Sequence, residues 1–182
     1  MSEKEPYVTM SDREKYLYDL QGFLVIKDFL TDTEVKTLNE ALDANQDKHG
    51  GYSPPNSYSG DWRGSAFEGK YAPFRHYAGM LTWEKPWCQP FRDLLAHPKI
   101  IPCLNTMFGR GWKMDHGVDV LTSTEGCEGL KLHGSGNVSF NGSRFYTYQN
   151  GAMRNGLIVC QYYLTDANPG DGGLCVIPGS HK

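Results

Sequence analysis

Histidines are the side chains of this sequence best able to do chemistry, and His133 has the most suggestive neighbours. It lies in Leu132-His133-Gly134-Ser135, so a hydroxyl follows it at the second position. Side chains two residues apart in a strand point to the same side, and His133 and Ser135 would then face one region of space. An imidazole can ligate a divalent metal or accept a proton. A histidine beside Gly-Ser-Gly can equally be a turn residue, and the local sequence leaves both options open.

Three common catalytic motifs are absent or incomplete. His133-Gly134-Ser135-Gly136 is similar to the oxyanion-hole loop of esterases, but the matching Gly-x-Ser-x-Gly nucleophile elbow occurs nowhere in the chain. The His-Glu-x-x-His motif of zinc proteases is also missing. Gly64-x4-Gly69-Lys70 fits a phosphate-binding loop until Tyr71, which replaces the Ser or Thr that binds magnesium. We therefore set aside an esterase, this type of zinc protease and a P-loop nucleotide hydrolase.

The composition limits the class of protein and its cellular compartment. The chain has 182 residues and a formal net charge of -3 without a basic stripe, so we expect one domain over 1–182 and no nucleic-acid partner. It has five cysteines, an odd number, and no pair has Cys-x-x-Cys spacing. The N-terminal stretch lacks the apolar centre of a secretory signal, and no apolar run approaches the length of a membrane span. These features predict a cytoplasmic protein with free thiols and no membrane contact.

Two capping boxes predict where the first helices begin. Ser11 is followed by Glu14 at the third position, and Thr31 is followed by Glu34 in the same way. In each pair, the hydroxyl and the carboxylate can accept hydrogen bonds from each other's backbone N–H groups. Gly22 is suited to the left-handed residue that ends the first helix.

Two more short helices are expected over 89–96 and 99–108, separated at His97-Pro98. A proline disfavours the helical conformation at the residue before it, so the first of these helices should end there. His97 is therefore interpreted as a turn residue.

Strand-like runs lie mostly after these helices. Residues 112–120 alternate apolar and polar side chains, and 157–164 and 174–177 are continuous apolar runs separated by a glycine-rich reversal. A short apolar strand is also expected over 23–26, between the first two helices. Helices followed by strands favour a β core with helices outside it over a parallel α/β sheet.

Residues 156–182 carry the most specific pattern. Leu164-Thr165-Asp166, the glycine-rich reversal, the apolar run 174–177 and Pro178-Gly179-Ser180-His181-Lys182 follow one another. This string resembles the core of the phytanoyl-CoA dioxygenase family, non-haem iron oxygenases that use 2-oxoglutarate. Residues 112–133 and 16–42 are similar to that family as well. The resemblance implies a β-rich α+β fold, a double-stranded β-helix or cupin-like jelly roll with N-terminal helices packed outside.

The end of the sequence affects this expectation. In the family, further strands follow the Pro-Gly-Ser-His segment, and this sequence stops at Lys182. The resemblance therefore implies a jelly roll that is incomplete at its C-terminus. The apolar edge of such a sheet would lack a partner strand, and we expect self-association through it.

The resemblance also assigns a metal ligand. The family holds Fe(II) with two histidines and one carboxylate, and His133 stands where the first histidine is expected. Ser135 stands in place of the carboxylate, and a neutral hydroxyl is a poor replacement for it on a hard cation. Three interpretations stay open. Another acid supplies the ligand (Asp115, Asp119 or Glu128), the site has two histidines as in related halogenases, or the chain binds no iron.

The other site residues are implied by position. The family's second histidine, and the cation that pairs with the far carboxylate of 2-oxoglutarate, lie beyond the Pro-Gly-Ser-His segment. His181 is therefore expected to be structural or to support the site from outside the metal's own ligands, and Ser135 is placed in the same group.

Two residues are candidate contacts of the co-substrate. Lys131 shares strand parity with His133, although a solvated surface lysine fits its position as well. Gln161 lies in an apolar run, where it must find hydrogen-bond partners, either on 2-oxoglutarate or on a neighbouring backbone. Arg144 and Arg154 are less favoured because they flank glycine-rich loops.

The sequence therefore predicts an Fe(II)- and 2-oxoglutarate-dependent dioxygenase that hydroxylates a small organic substrate. The alternatives are a jelly-roll binding module without catalysis, an inactive truncated fragment, or a halogenase-like oxygenase without the metal-binding carboxylate.

Overall fold

The described part of the chain contains four α-helices and two short antiparallel sheets. The computed structural model describes residues 7–49, 51, 54–55, 62–115, 117–134 and 142–182. The helices are α1 (Asp12–Gln21), α2 (Asp32–Asp43), α3 (Gln89–Leu94) and α4 (Ile101–Phe108). The strands are β1 (Arg75–Tyr77), β2 (Val120–Thr122), β3 (Tyr146–Gln149) and β4 (Ala152–Asn155), and short 3-10 helices lie at Gln46–Lys48 and Met80–Thr82.

Both predicted capping boxes are present and fix the starts of α1 and α2. Ser11 Oγ accepts a hydrogen bond from the Glu14 amide at 3.3 Å, and Glu14 Oε2 accepts one from the Ser11 amide at 2.8 Å. Thr31 and Glu34 form the same reciprocal pair at α2. Gly22 ends α1 with a φ of 82°, in the left-handed region. These helix ends are determined by neighbouring residues, which is why the sequence could predict them.

The second pair of helices is also as predicted, with α3 and α4 separated at His97-Pro98. Ile100 donates its amide hydrogen to His97 O at 2.9 Å, which closes the turn before α4.

Each sheet has two strands. In the first, β1 pairs with β2, and Arg75 lies opposite Thr122. In the second, β3 and β4 form a hairpin whose two turn residues, Asn150 and Gly151, both have positive φ. An Asn-Gly pair between two strands is the usual signal of this turn, although the sequence analysis did not identify the hairpin.

Three strand predictions were wrong. Residues 23–26, 157–164 and 174–177 form no sheet ladder among the described residues. Within the predicted strand over 112–120, Val120 is the one described residue that lies in a strand, at the start of β2, and His116 lies outside the described residues. An apolar run supplies suitable side chains, but a strand also needs the N–H and C=O groups of a neighbouring strand, which the run does not specify.

The buried side chains form two clusters. In the first, Leu38, Ala41 and Leu42 of α2 pack against Phe91 of α3 and Tyr77 of β1. The apolar stripe of α2 is therefore core, as its spacing predicts.

The second cluster joins elements that are far apart in the chain. Tyr18 of α1 packs with Cys103 and Met107 of α4 and with Met153 of β4, and Met10 completes the group. This cluster fixes α1 next to the β3–β4 hairpin.

The fold has the mixed α and β content that was predicted, but its sheets are small. Throughout the described ranges, the helices are too short or too polar to cross a lipid bilayer.

Candidate functional site

The Pro-Gly-Ser-His turn packs against the end of α1. The Gly179 amide donates a hydrogen bond to Gln21 O at 3.0 Å. The His181 ring then lies over Gly22, so close that a Cβ atom on this glycine would be 2.4 Å from His181 Nδ1. The glycine at the end of α1 therefore provides space for His181 in addition to its left-handed backbone.

His181 packs against two tyrosine rings. Its ring centroid is 4.5 Å from that of Tyr146 and 6.0 Å from that of Tyr18. Both ring nitrogens are buried, and neither forms a hydrogen bond of good geometry with the residues that the structure describes. Burial lowers the pKa of His181, so its neutral form is favoured in this position.

Asp19 anchors the same group of residues. Its Oδ1 accepts a hydrogen bond from Tyr146 Oη at 2.6 Å and lies 3.2 Å from Lys182 Nζ. The hydrogen bond from Tyr146 is the main reason that the pKa of Asp19 is lowered. Burial, followed by the hydrogen bond to this carboxylate, raises the pKa of Tyr146.

A buried hydrogen-bond chain connects α1, β4 and α4 beside this group. Tyr18 Oη donates to Asn155 Oδ1 at 3.0 Å, and Asn155 Nδ2 donates to Met107 O at 3.1 Å. Burial raises the pKa of Tyr18 to about 12, so the hydroxyl keeps its proton and remains a donor. Tyr18 and Asn155 were not identified from the sequence, since their contact spans most of the chain and has no local signal.

His133 lies on the surface, in an exposed segment. Its Nδ1 is 2.8 Å from Lys131 O. A carbonyl oxygen only accepts, so Nδ1 carries a proton, and in the neutral ring the lone pair is on Nε2. The Lys131 side chain is exposed too, and Ser135 lies outside the described residues.

The three acids considered as ligands are dispersed. Glu128 is buried, with 4% of its surface exposed, whereas Asp115 and Asp119 are exposed. Across the described ranges, no three His, Cys, Asp or Glu side chains come together in a way that could hold a metal ion. The structure therefore does not bring any of these acids together with His133 into such a group.

Gln161 lies on the exposed side of its segment. It shares this side with Leu157, Val159 and Tyr163, and all four are exposed, although the apolar run 157–164 was expected to be a buried strand. Three other side chains of the segment pack inward instead: Ile158 contacts the second cluster, Leu164 contacts the first, and Tyr162 Oη donates to Leu94 O at 3.3 Å. These three side chains are half-buried, whereas Cys160, on the same side of the segment, is exposed.

Two surface clefts contain the arginines that were considered as co-substrate contacts. Arg144 lines a cleft of about 370 Å³ and Arg154 lines one of about 260 Å³. Neither cleft includes His133, Lys131 or Gln161.

Comparison with known proteins gives one match. The family model of phytanoyl-CoA dioxygenase (PhyH) matches residues 18–182, which is nearly the whole chain. No curated protein and no solved structure matches the chain significantly.

Proposed function

Because the chain belongs to the phytanoyl-CoA dioxygenase family, we propose that it is a non-haem dioxygenase dependent on Fe(II) and 2-oxoglutarate. Its reaction would be the hydroxylation of a small organic substrate. The observation that carries this proposal is the family match over 18–182, which includes both His133 and the Pro-Gly-Ser-His turn. When bound, the iron and its co-substrate would supply the oxygen chemistry, and the protein would bind and orient the substrate.

Finer points of the proposal rest on the family and on the sequence. We take the fold to be a single cupin-like jelly roll with helices outside, to which the two small sheets would contribute. Lys131 and Gln161 would contact 2-oxoglutarate, and the protein would be cytoplasmic.

His133 is the residue proposed to bind the iron. The hydrogen bond between Nδ1 and the Lys131 carbonyl selects the neutral tautomer with its lone pair on Nε2, which is the form that binds a metal. The Nε2 side of the ring is accessible because His133 is exposed.

His133 by itself does not make an iron site. The described residues supply no complete set of ligands around it, and Ser135 is not among them. This favours a second candidate function, a binding module of the same family that takes up a small molecule without iron chemistry.

Iron binding and 2-oxoglutarate turnover separate the two candidates. Fe(II) would be titrated anaerobically into the wild type, His133→Ala and His76→Ala, and succinate would be measured after oxygen is admitted. His76 is a suitable control because it is exposed on β1. For an oxygenase, we expect about one equivalent of Fe(II) in the wild type and in His76→Ala, and none in His133→Ala.

Each other outcome has a definite meaning. Full iron occupancy in His133→Ala would remove His133 from the site. A wild type that binds no iron and releases no succinate would contradict the oxygenase and favour the binding module. Ser135→Asp should tighten iron binding, because it restores the negative charge that the family places there. Thermal unfolding of each variant checks that it is folded.

A further inference from the structure

We propose that the cleft of about 370 Å³ beside the end of α4 binds an anion with more than one negative charge, attached to an apolar or aromatic body. The volume is within the range of small-molecule sites in proteins. Its charged lining is Arg110, Lys113, Arg144 and Asp115, and its apolar lining is Phe108, Trp112 and Leu157.

The charge balance of the cleft favours an anion. Arg110, Lys113 and Arg144 bring three positive charges and Asp115 brings one negative charge. None of the three cations forms an ion pair with an acid among the described residues. Guanidinium groups bind carboxylates and phosphates through two parallel hydrogen bonds, so two arginines and a lysine suit a ligand with several anionic oxygens.

One wall of the cleft is held in place before any ligand arrives. Trp112 Nε1 donates to Asn105 Oδ1 of α4 at 3.1 Å. Asn105 Nδ2 in turn donates to Val8 O at 2.8 Å, and the backbone carbonyl of Asn105 accepts a hydrogen bond from Tyr7 Oη at 2.9 Å. The Arg110 guanidinium lies over the Tyr7 ring, 4.2 Å from its centroid. The indole and one cation are therefore positioned, which reduces the entropy cost of binding.

The backbone leaves room for a ligand next to Arg110. Gly111 follows it and lines the cleft, and a Cβ atom on this glycine would meet nothing within 4 Å. An anion can therefore approach the turn itself as well as the charged side chains.

The cleft is distinct from the residues proposed to hold iron and 2-oxoglutarate. His133, Lys131 and Gln161 are not part of its lining. Binding at the cleft therefore does not depend on the proposed function, and it can be measured without iron.

Two probe anions distinguish a phosphate ester from a polycarboxylate as the natural ligand. The protein would be titrated calorimetrically with inorganic pyrophosphate and with citrate, at low and at moderate salt. Tighter binding of pyrophosphate would indicate a phosphate ester as the natural ligand, and tighter binding of citrate would indicate a polycarboxylate. We expect the dissociation constant to rise with salt for both.

A double variant tests the location. Lys113→Gln/Arg144→Gln should raise the dissociation constant by about tenfold or more, because two charged hydrogen-bond donors are lost. The control is Arg13→Gln/Lys27→Gln, which removes the same two residue types at exposed positions outside the cleft. This control should bind within about twofold of the wild type.

The proposal is overturned if neither anion binds the wild type. It is also overturned if both double variants weaken binding equally, since the effect would then be one of total charge. Thermal unfolding confirms that the variants are folded and that lost binding reflects the lost side chains.

Discussion

His97 Nε2 lies 3.1 Å from Glu34 Oε1, and this contact connects the turn between α3 and α4 to the first turn of α2. The other oxygen of the same carboxylate accepts hydrogen bonds from the amide and the hydroxyl of Thr31, both at 2.7 Å. One side chain therefore both caps α2 and holds His97, which is buried. Phe29 packs on the other side of this contact, with its ring centroid 4.8 Å from that of His97.

The first prediction concerns acid stability. The hydrogen bonds from the Thr31 amide and hydroxyl, and then the one from His97, lower the pKa of Glu34 to about 2. Its ordinary value is 4.5, so its contribution to stability is fully present above that pH and is lost as the pH falls toward 2. Glu34→Ala should therefore unfold at a lower temperature than the wild type at pH 6, and the gap should close near pH 2.

Circular dichroism at several pH values measures this gap. Glu40→Ala is the control, because Glu40 lies on the same helix and its side chain forms an exposed ion pair with Lys36, at 3.8 Å. A gap for Glu34→Ala that stays constant between pH 6 and pH 2 would contradict the assigned role of the carboxylate.

The second prediction concerns the buried chain at Tyr18. Tyr18→Phe removes the donor to Asn155 Oδ1 and leaves this oxygen buried without its partner. We expect a loss of about 1–3 kcal/mol in the free energy of unfolding, measured with urea. Tyr16→Phe on the same helix is the matched control, because Tyr16 is 66% exposed and its change should be close to zero. Equal effects of the two variants would mean that the hydrogen bond contributes nothing.

The third prediction tests the packing of His181 against Gly22. Gly22 and Gly109 both end helices with positive φ, 82° and 79°. Alanine at either position costs about 1–2 kcal/mol of backbone strain. Only at Gly22 would the new methyl group collide with His181, so Gly22→Ala should lose roughly 1–3 kcal/mol more than Gly109→Ala.

The double variant Gly22→Ala/His181→Ala separates the two parts of this effect. Removing the imidazole should recover the collision part and leave only the backbone part. If the double variant is as unstable as the sum of the single variants, the turn does not pack on α1 as described.

The fourth prediction concerns association of the chain with itself. Residues 156–165 and 172–179 contain no charged side chain, and Val159 and Leu174 are 80% and 64% exposed. A second copy can pair with these extended segments without charge repulsion, and it would cover their apolar side chains. Sedimentation velocity should therefore show larger species as the protein concentration rises.

Val159→Lys should shift the protein toward monomer, because pairing would bring two like charges together. Val25→Lys is the comparison, since Val25 is similarly exposed, at 75%, but lies between α1 and α2. A wild type that stays monomeric at all concentrations would refute self-association.

Features that depend on neighbouring residues were predictable from the sequence. The pairs Ser11–Glu14 and Thr31–Glu34 carry all the information that their caps need. The break before Pro98 is local as well. For His97, the turn was predicted but the contact with Glu34 was not, because nothing in the spacing of the two residues indicates it.

Features that depend on distant partners were not predictable. The apolar run over 157–164 predicts burial, but which of its side chains are covered is set by other elements. Tyr162 reaches Leu94 and Ile158 reaches the second cluster, so the face that holds Gln161 is left outside. The same holds for the candidate metal ligand. The resemblance assigned His133, but it did not predict which residues contact it, such as the Lys131 carbonyl.

The packing of the Pro-Gly-Ser-His turn on α1 has a consequence for biosynthesis. A nascent chain emerges from the ribosome with its N-terminus first, so α1 appears long before Gly179 and His181 are translated. Until then, the end of α1 lacks the Gly179 bond to Gln21 and the ring that covers Gly22. The helix therefore stays incompletely packed until the last part of the matched region is translated. During that interval chaperones have their best opportunity to bind it.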